Sequence, residues 1–100
     1  MIEFKKKASE TLDDIFNLVE SKFDNYEVDY EDENLRIDSL NGKGTFILSI
    51  HSPTSQIWLS SPFSGAHHFK NNSLESVEWV STRDSNINLK QLIIKELGSE

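Results

Sequence analysis

Cysteine is absent from the 100 residues, which removes a disulfide framework, a thiolate nucleophile, a zinc knuckle and thiolate ligation of an iron–sulfur cluster. Any metal held by this chain uses oxygen or imidazole. Long hydrophobic runs are missing too: no apolar stretch exceeds four residues, far short of the roughly 20 that a membrane-spanning helix needs. No apolar h-region follows Lys5-Lys6-Lys7, so the sequence predicts a soluble, cytoplasmic protein. With four glycines and two prolines, the chain has no Pro/Gly/Ser-rich linker, and neither a repeat nor a low-complexity tract divides it. Residues 1–100 are therefore read as one domain, with enough apolar content for one core and too little length for two.

Positive charge is the other scarcity. Ten bases face 17 acids, a net charge of −7. Residues 1–34 hold eleven acids against four bases, whereas residues 35–100 hold six of each, so the whole excess sits in the first third. Between residues 10 and 33 ten acids face only Lys22. Such a field repels nucleic acid and anionic lipid, and attracts cations or a basic protein surface.

Apolar spacing at the helical period places Phe4, Ala8, Leu12, Ile15, Phe16, Val19 and Phe23 on one side of a long first helix, about residues 2–23. Glu10, Asp13, Asp14, Asn17, Glu20 and Asp24 gather opposite, as an acidic ridge. The period then changes to two: Tyr26, Val28 and Tyr30 alternate with Glu27, Asp29 and Glu31, a strand with one wet side whose carboxylates extend the ridge. Further strands are predicted at residues 35–37, 45–50, 55–60, 66–69 and 77–81, with turns at Asn41-Gly42, Ser64-Gly65 and Asn71-Asn72. Asn88 opens a last helix to Leu97, with Gln91 completing a variant capping box and Leu89, Leu92, Ile93 and Leu97 as its apolar stripe. The fold class is α+β: a two-layer sandwich with the N- and C-terminal helices on one face of an antiparallel sheet.

The other sheet face is then open. If Phe46, Leu48 and Ile50 point to the helices, Thr45, Ile47 and Ser49 point away; if Ile57 and Leu59 point in, Gln56, Trp58 and Ser60 point out. An exposed Trp58 reads as an anchor for a partner, and a one-residue register slip would instead make it core. Trp79, between apolar neighbours, reads as core. His67 and His68 are adjacent in a strand and point to opposite faces, so they do not readily share a metal. His51, before Pro53, stays unassigned.

Clustered acids at helical spacing (Glu10, Asp13, Asp14, with Glu20 beyond) present several oxygens on one face without closing a cage, which suits weak, exchangeable binding of hard or borderline cations. On residues alone the favoured reading is a solvated helix face and a charge-protected edge strand. An enzyme finds no support: there is no nucleophile elbow, phosphate loop or His-Glu-x-x-His spacing.

The segment Gln56-Ile57-Trp58-Leu59-Ser60-Ser61-Pro62 followed by Ser64-Gly65 resembles the frataxin family, called CyaY in bacteria. Ala8-Ser9-Glu10-Thr11-Leu12-Asp13 is similar to the family's first helix, residues 41–53 to its central hairpin, and Glu78-Trp79-Val80 and Leu89 to Leu92 to its last strand and second helix. The resemblance implies a non-enzymatic iron-binding protein, an iron chaperone of iron–sulfur cluster assembly. It would bind the cysteine desulfurase and the scaffold protein, and either regulate sulfur delivery or supply iron. It implies a monomer, open to iron-driven oligomers, with no nucleic acid and no membrane as partners. Weakly held Fe2+ or Fe3+ would fall to Glu10, Asp13, Glu20 and Asp24 on the helix and Glu27, Asp29 and Glu31 on the strand, with Asp14 as an added acid. Partner contacts would fall to Gln56 and Trp58, with Ser60 beside them. Ser49 stands where relatives often have asparagine and His68 at a nearby basic position, while Ser9, Asn17 and Ser21 replace further helix acids. The rival reading is an acidic docking adaptor with no physiological metal.

Overall fold

Six antiparallel strands follow one another across a single sheet in chain order, and their period-two burial decides which face meets the helices. The computed structural model describes residues 2–71, 79–84 and 86–98. In chain order the elements are α1 (Ile2–Lys22), β1 (Tyr26–Glu31), β2 (Asn34–Ser39), β3 (Thr45–His51), a 3₁₀ turn (Ser52–Thr54), β4 (Gln56–Ser61), β5 (Gly65–Asn71), β6 (Trp79–Ser81) and α2 (Leu89–Leu97).

Along α1, Ala8, Leu12, Ile15 and Val19 are buried, the helical spacing that keeps one stripe against the sheet. Phe4, Phe16 and Phe23 flank the stripe half-buried. The sheet answers with Leu35 and Ile37 from β2, Phe46, Leu48 and Ile50 from β3, Ile57 and Leu59 from β4, and Phe69 from β5. From α2, Leu89, Ile93 and Leu97 join the same core, so both helices cover one face, as the sequence predicts. Asn88 caps α2 by accepting the Gln91 N–H at 3.2 Å.

Two buried polar contacts tie the layers together. Trp79 is core, and its indole Nε1–H donates to Thr11 Oγ1 at 2.8 Å while Thr11 donates to the Lys7 carbonyl. Phe4 packs edge-on against the same indole. Ser61 Oγ donates to the buried Glu96 carboxylate at 2.6 Å and accepts the N–H groups of Phe63 and Ser64, which locks the β4–β5 turn to α2. Leaving such buried groups unpaired costs about 1–3 kcal/mol each.

Strand limits differ from expectation where pairing extends them. β5 runs beyond residues 66–69 because it pairs with β4 from Ser61↔Gly65 to Gln56↔Lys70. Asn71, expected in a turn, pairs with Trp79 as strand; Asn72, Val77 and Glu78 lie outside the described residues.

Connecting β1 to β2, Asp32 and Glu33 both have positive φ, 51° and 67°, the backbone of a two-residue hairpin turn that favours Asn-Gly. Glu33 occupies this left-handed position without glycine's freedom. Its exposed ion pair with Lys5, 3.5 Å long, offsets little of that strain. Glu33→Gly is expected to raise the free energy of unfolding by about 1 kcal/mol. A lower midpoint in urea or thermal unfolding would contradict the strain.

Candidate functional site

The packing that buries one stripe of α1 exports the other. Glu10, Asp13, Asp14 and Glu20 are all exposed on the helix face away from the sheet, with Asn17 between them. Asp24 is exposed as well but is not helical: α1 ends at Lys22, and the chain turns through Asp24 and Asn25 with the Tyr26 N–H bonded to the Phe23 carbonyl. Asp and Asn favour such turns, which is why the helical period overran by a residue or two.

On β1, Tyr26 is buried and Val28 and Tyr30 are half-buried against α1, so Glu27, Asp29 and Glu31 are exposed on the opposite face of the sheet. The strand acids therefore do not simply lengthen the helix ridge; the two sets flank the exposed edge of β1, one on each side. At the seam between α1 and the β1–β2 turn, Asp13 of the helix set and Glu33 of the turn both lie near Tyr30. There the Tyr30 phenol is pushed above its ordinary pKa, chiefly by burial, with the Asp13 and Glu33 charges adding to the rise against a hydrogen bond from Ser9. Among the described residues no three carboxylate or imidazole side chains converge as a ready-made metal set. Open, mutually repelling carboxylates of this kind suit a cation that is held weakly and passed on.

Next to these acids, Asp29 lies opposite Arg36 in the register, and Arg36 Nε donates to both oxygens of Asp38 at 3.2 and 3.0 Å. Thr45 Oγ1 donates to Asp38 at 2.6 Å. The Thr45 hydrogen bond first, and Arg36 second, hold the Asp38 carboxyl below the usual carboxylate range.

The open face carries Trp58 outward, as the strand parity predicts. Trp58 lies between Ser49 and His68 in the cross-strand register, and its Nε1–H donates to Gln56 Oε1 at 2.8 Å. His51 stacks on one side of the indole at 3.8 Å between centroids and 17° between planes, and His68 stacks at 4.3 Å and 16°. A shallow hollow of about 200 Å³ adjoins the stack, lined by Ile47, Ser49, Trp58, Ser60, Ala66 and His68. All five expected partner-binding residues, Ser49, Gln56, Trp58, Ser60 and His68, thus share this face. His67 turns to the other side of its strand, where it meets Ser64 Oγ at 2.8 Å and stacks against Phe69.

His51 was unassigned in the sequence. Its place follows from parity, because it lies two residues past outward-facing Ser49 and opposite Gln56, within diagonal reach of Trp58. Ser61 carried no signal separating it from exposed Ser60 except that same alternation.

The family model of the frataxin-like domain matches residues 1–100. The chain belongs to the frataxin family. The frataxin homolog of Schizosaccharomyces pombe, described as mitochondrial, is 35% identical over 88 residues, 83% of this chain and 54% of the relative. The mitochondrial frataxin of Dictyostelium discoideum is 38% identical over 74 residues, 74% of this chain and 37% of that one. The chain thus spans about a third to a half of the length of these frataxins. Among solved structures, trimeric frataxin of Saccharomyces cerevisiae complexed with ferrous superposes with a TM-score of 0.76 at 26% identity, covering 91% of this chain and 81% of that one. Frataxin from Psychromonas ingrahamii, of the CyaY protein family, superposes with a TM-score of 0.80 at 20% identity, over 98% and 90% of the two chains, a likeness of fold. The two-layer architecture is that of these frataxins. Among the described residues no helix is long and apolar enough to cross a membrane.

A carboxyl held low in the folded state contributes stability above its ordinary pKa, and that contribution is lost as the pH falls through the lowered value. Thr45→Val is therefore expected to move the Asp38 midpoint up toward that of an unpaired aspartate, leaving less stability for acid to remove. A carbon-detected NMR titration of Asp38 reads this directly; an unmoved midpoint would refute the Thr45 contribution.

Proposed function

We propose that this frataxin-family protein binds iron as cargo on the acids flanking β1 and docks on the cysteine desulfurase and scaffold of iron–sulfur cluster assembly, where it supplies iron or regulates sulfur transfer. The observation that carries this reading is the division of labour between surfaces. One is an open array of carboxylates, Glu10, Asp13, Asp14, Glu20 and Asp24 beside Glu27, Asp29 and Glu31. The other is an outward tryptophan held in place on the open sheet face. Carboxylate oxygen is the right donor for ferrous and ferric iron, and without cysteine the chain holds no cluster through its own thiolates. The solved ferrous complex of a family member supports the choice of metal. In this reading the chain has no catalytic centre, works in the cytoplasm as a CyaY-type protein would, and is a monomer open to iron-driven oligomers.

The same acids give the protein a field suited to a basic docking surface. An adaptor that never meets metal would use them identically. Simultaneous reversal of Asp13, Asp14 and Glu20 to lysine is expected to abolish desulfurase binding in a pull-down. Trp58→Ala is expected to leave first contact with the desulfurase intact and to impair the complex assembled with scaffold. Undiminished desulfurase binding by the triple variant would end the docking claim.

A further inference from the structure

The open sheet face is electrostatically divided. On β1 and β2 it carries Glu27, Asp29, Glu31 and Asp38, with Arg36 as the cation among them. The outward positions of β3, β4 and β5 carry no carboxylate, and their charged or chargeable residues are His51, His68 and Lys70. Lys70 lies in one register row with His51 and Gln56, and His68 lies in the next with Trp58. In a chain of net charge −7 this half is locally cationic.

Both ring faces of Trp58 are occupied, by His51 and by His68, and its N–H is engaged by Gln56. A partner aromatic or guanidinium therefore finds no free indole face to stack on. A guanidinium or ammonium would also meet up to three like charges. What remains on offer is the outer rim of a cationic stack and, next to it, the hollow bordered by Ile47, Ser60 and Ala66. That combination fits a carboxylate beside an apolar side chain.

We propose that the His51–Trp58–His68 stack, with Lys70, is a proton-responsive docking surface for a carboxylate-bearing segment of a protein partner, gripped more tightly as the two imidazoles become charged. This rests on the reading that the open sheet face docks a protein. Imidazole is the side chain that ordinarily changes charge between pH 5 and 8, and a proton on each of the two rings would take this half from one positive charge to three. An imidazolium against an indole face is also favourable in itself.

The β1–β2 turn lies beside the end of β3, its Glu33 carbonyl accepting the Ile50 N–H, and brings the Asp32 and Glu33 carboxylates to the His51 end of the stack. Beside His51 the 3₁₀ turn contributes Thr54, whose Oγ1 lies 2.7 Å from Nδ1, and no charge. From the β1–β2 turn, Glu33 is engaged with Lys5 and Asp32 is exposed. Glu31 ends the register row of Trp58 three strands away, about 14 Å at the usual strand spacing and beyond a Debye length of about 8 Å at physiological salt. Beyond β5, Thr82 donates its N–H to the His68 carbonyl, and Arg83 and Asp84 follow it, both exposed.

Two synthetic peptides serve as probes, acetyl-Glu-Leu-Glu-Leu-Glu-amide and its lysine counterpart, titrated into the whole chain and followed by amide NMR at about pH 6.0 and pH 7.5. The acidic peptide is expected to shift His51, Trp58, His68 and Lys70, with a Kd about fivefold lower at the acid pH, the size expected of exposed charge pairs. The double variant His51→Gln, His68→Gln is expected to remove the pH dependence and to bind no more tightly at pH 6.0 than at pH 7.5. Lys70→Gln is expected to weaken binding at both pH values and keep the dependence. Equal affinity at the two pH values, a pH dependence that survives the double variant, or preferential binding of the lysine peptide at this patch would each overturn the proposal. Purified scaffold protein titrated in parallel separates the two readings: scaffold that fails to bind at either pH removes the assembly role, while the peptide data still decide this one.

Discussion

One-sided burial of the sheet is the constraint from which the surface of this protein follows. The α1 stripe of Ala8, Leu12, Ile15 and Val19 needs a flat apolar partner, and the inward residues of β2 to β5 provide it. Because side chains alternate along a strand, fixing Phe46, Leu48, Ile57 and Leu59 inward fixes Ile47, Ser49, Trp58 and Ser60 outward. The helix obeys the same logic at its own period, so Asp13, Asp14 and Glu20 have nowhere to go but water. Neither the acidic surface nor the tryptophan face needs a device of its own to be displayed; both are what the core excludes.

That logic also explains what could be read from the residues. The helix stripe, the strand alternation and the outward Trp58 are local periodicities, and they are legible because each repeats over several residues. Less legible were features that depend on pairing between distant segments. The Ser61–Glu96 contact joins residues 35 positions apart, and the Trp79–Thr11 bond joins residues 68 apart; a serine or threonine announces neither. The same holds for Asp32 and Glu33, which sit in an acidic run and form a tight hairpin turn, Glu33 against its residue type. The strand acids were placed on the right strand, but their relation to the helix ridge depends on which side of β1 packs, and that sets Glu27, Asp29 and Glu31 on the far face.

The buried polar contacts have a further consequence for the sites. Ser61 holds the turn that follows β4, and Glu96 anchors that turn to α2, so the strand presenting Gln56, Trp58 and Ser60 is fixed at its end. Gly44 lies beneath the same turn: a Cβ there would meet the Pro62 Cβ at 2.5 Å. A rigid strand with a clamped tryptophan suits docking. Open carboxylates on a solvated helix suit the opposite requirement, release of a weakly held ion. The two properties sit on different elements, so neither compromises the other.

The central proposal is that the exported acids hold iron as cargo. The most direct measurement is an anaerobic ferrous titration followed by amide-resolved NMR at about 0.15 M salt, where the Debye length is about 8 Å, with magnesium as the control. The account predicts iron-induced broadening at Glu10, Asp13, Asp14 and Glu20, and at Glu27, Asp29 and Glu31 across the β1 edge, beyond anything magnesium produces, with Trp58 and its neighbours unaffected. Identical responses to iron and magnesium would contradict it, and would reduce the acids to a counterion surface for a basic partner.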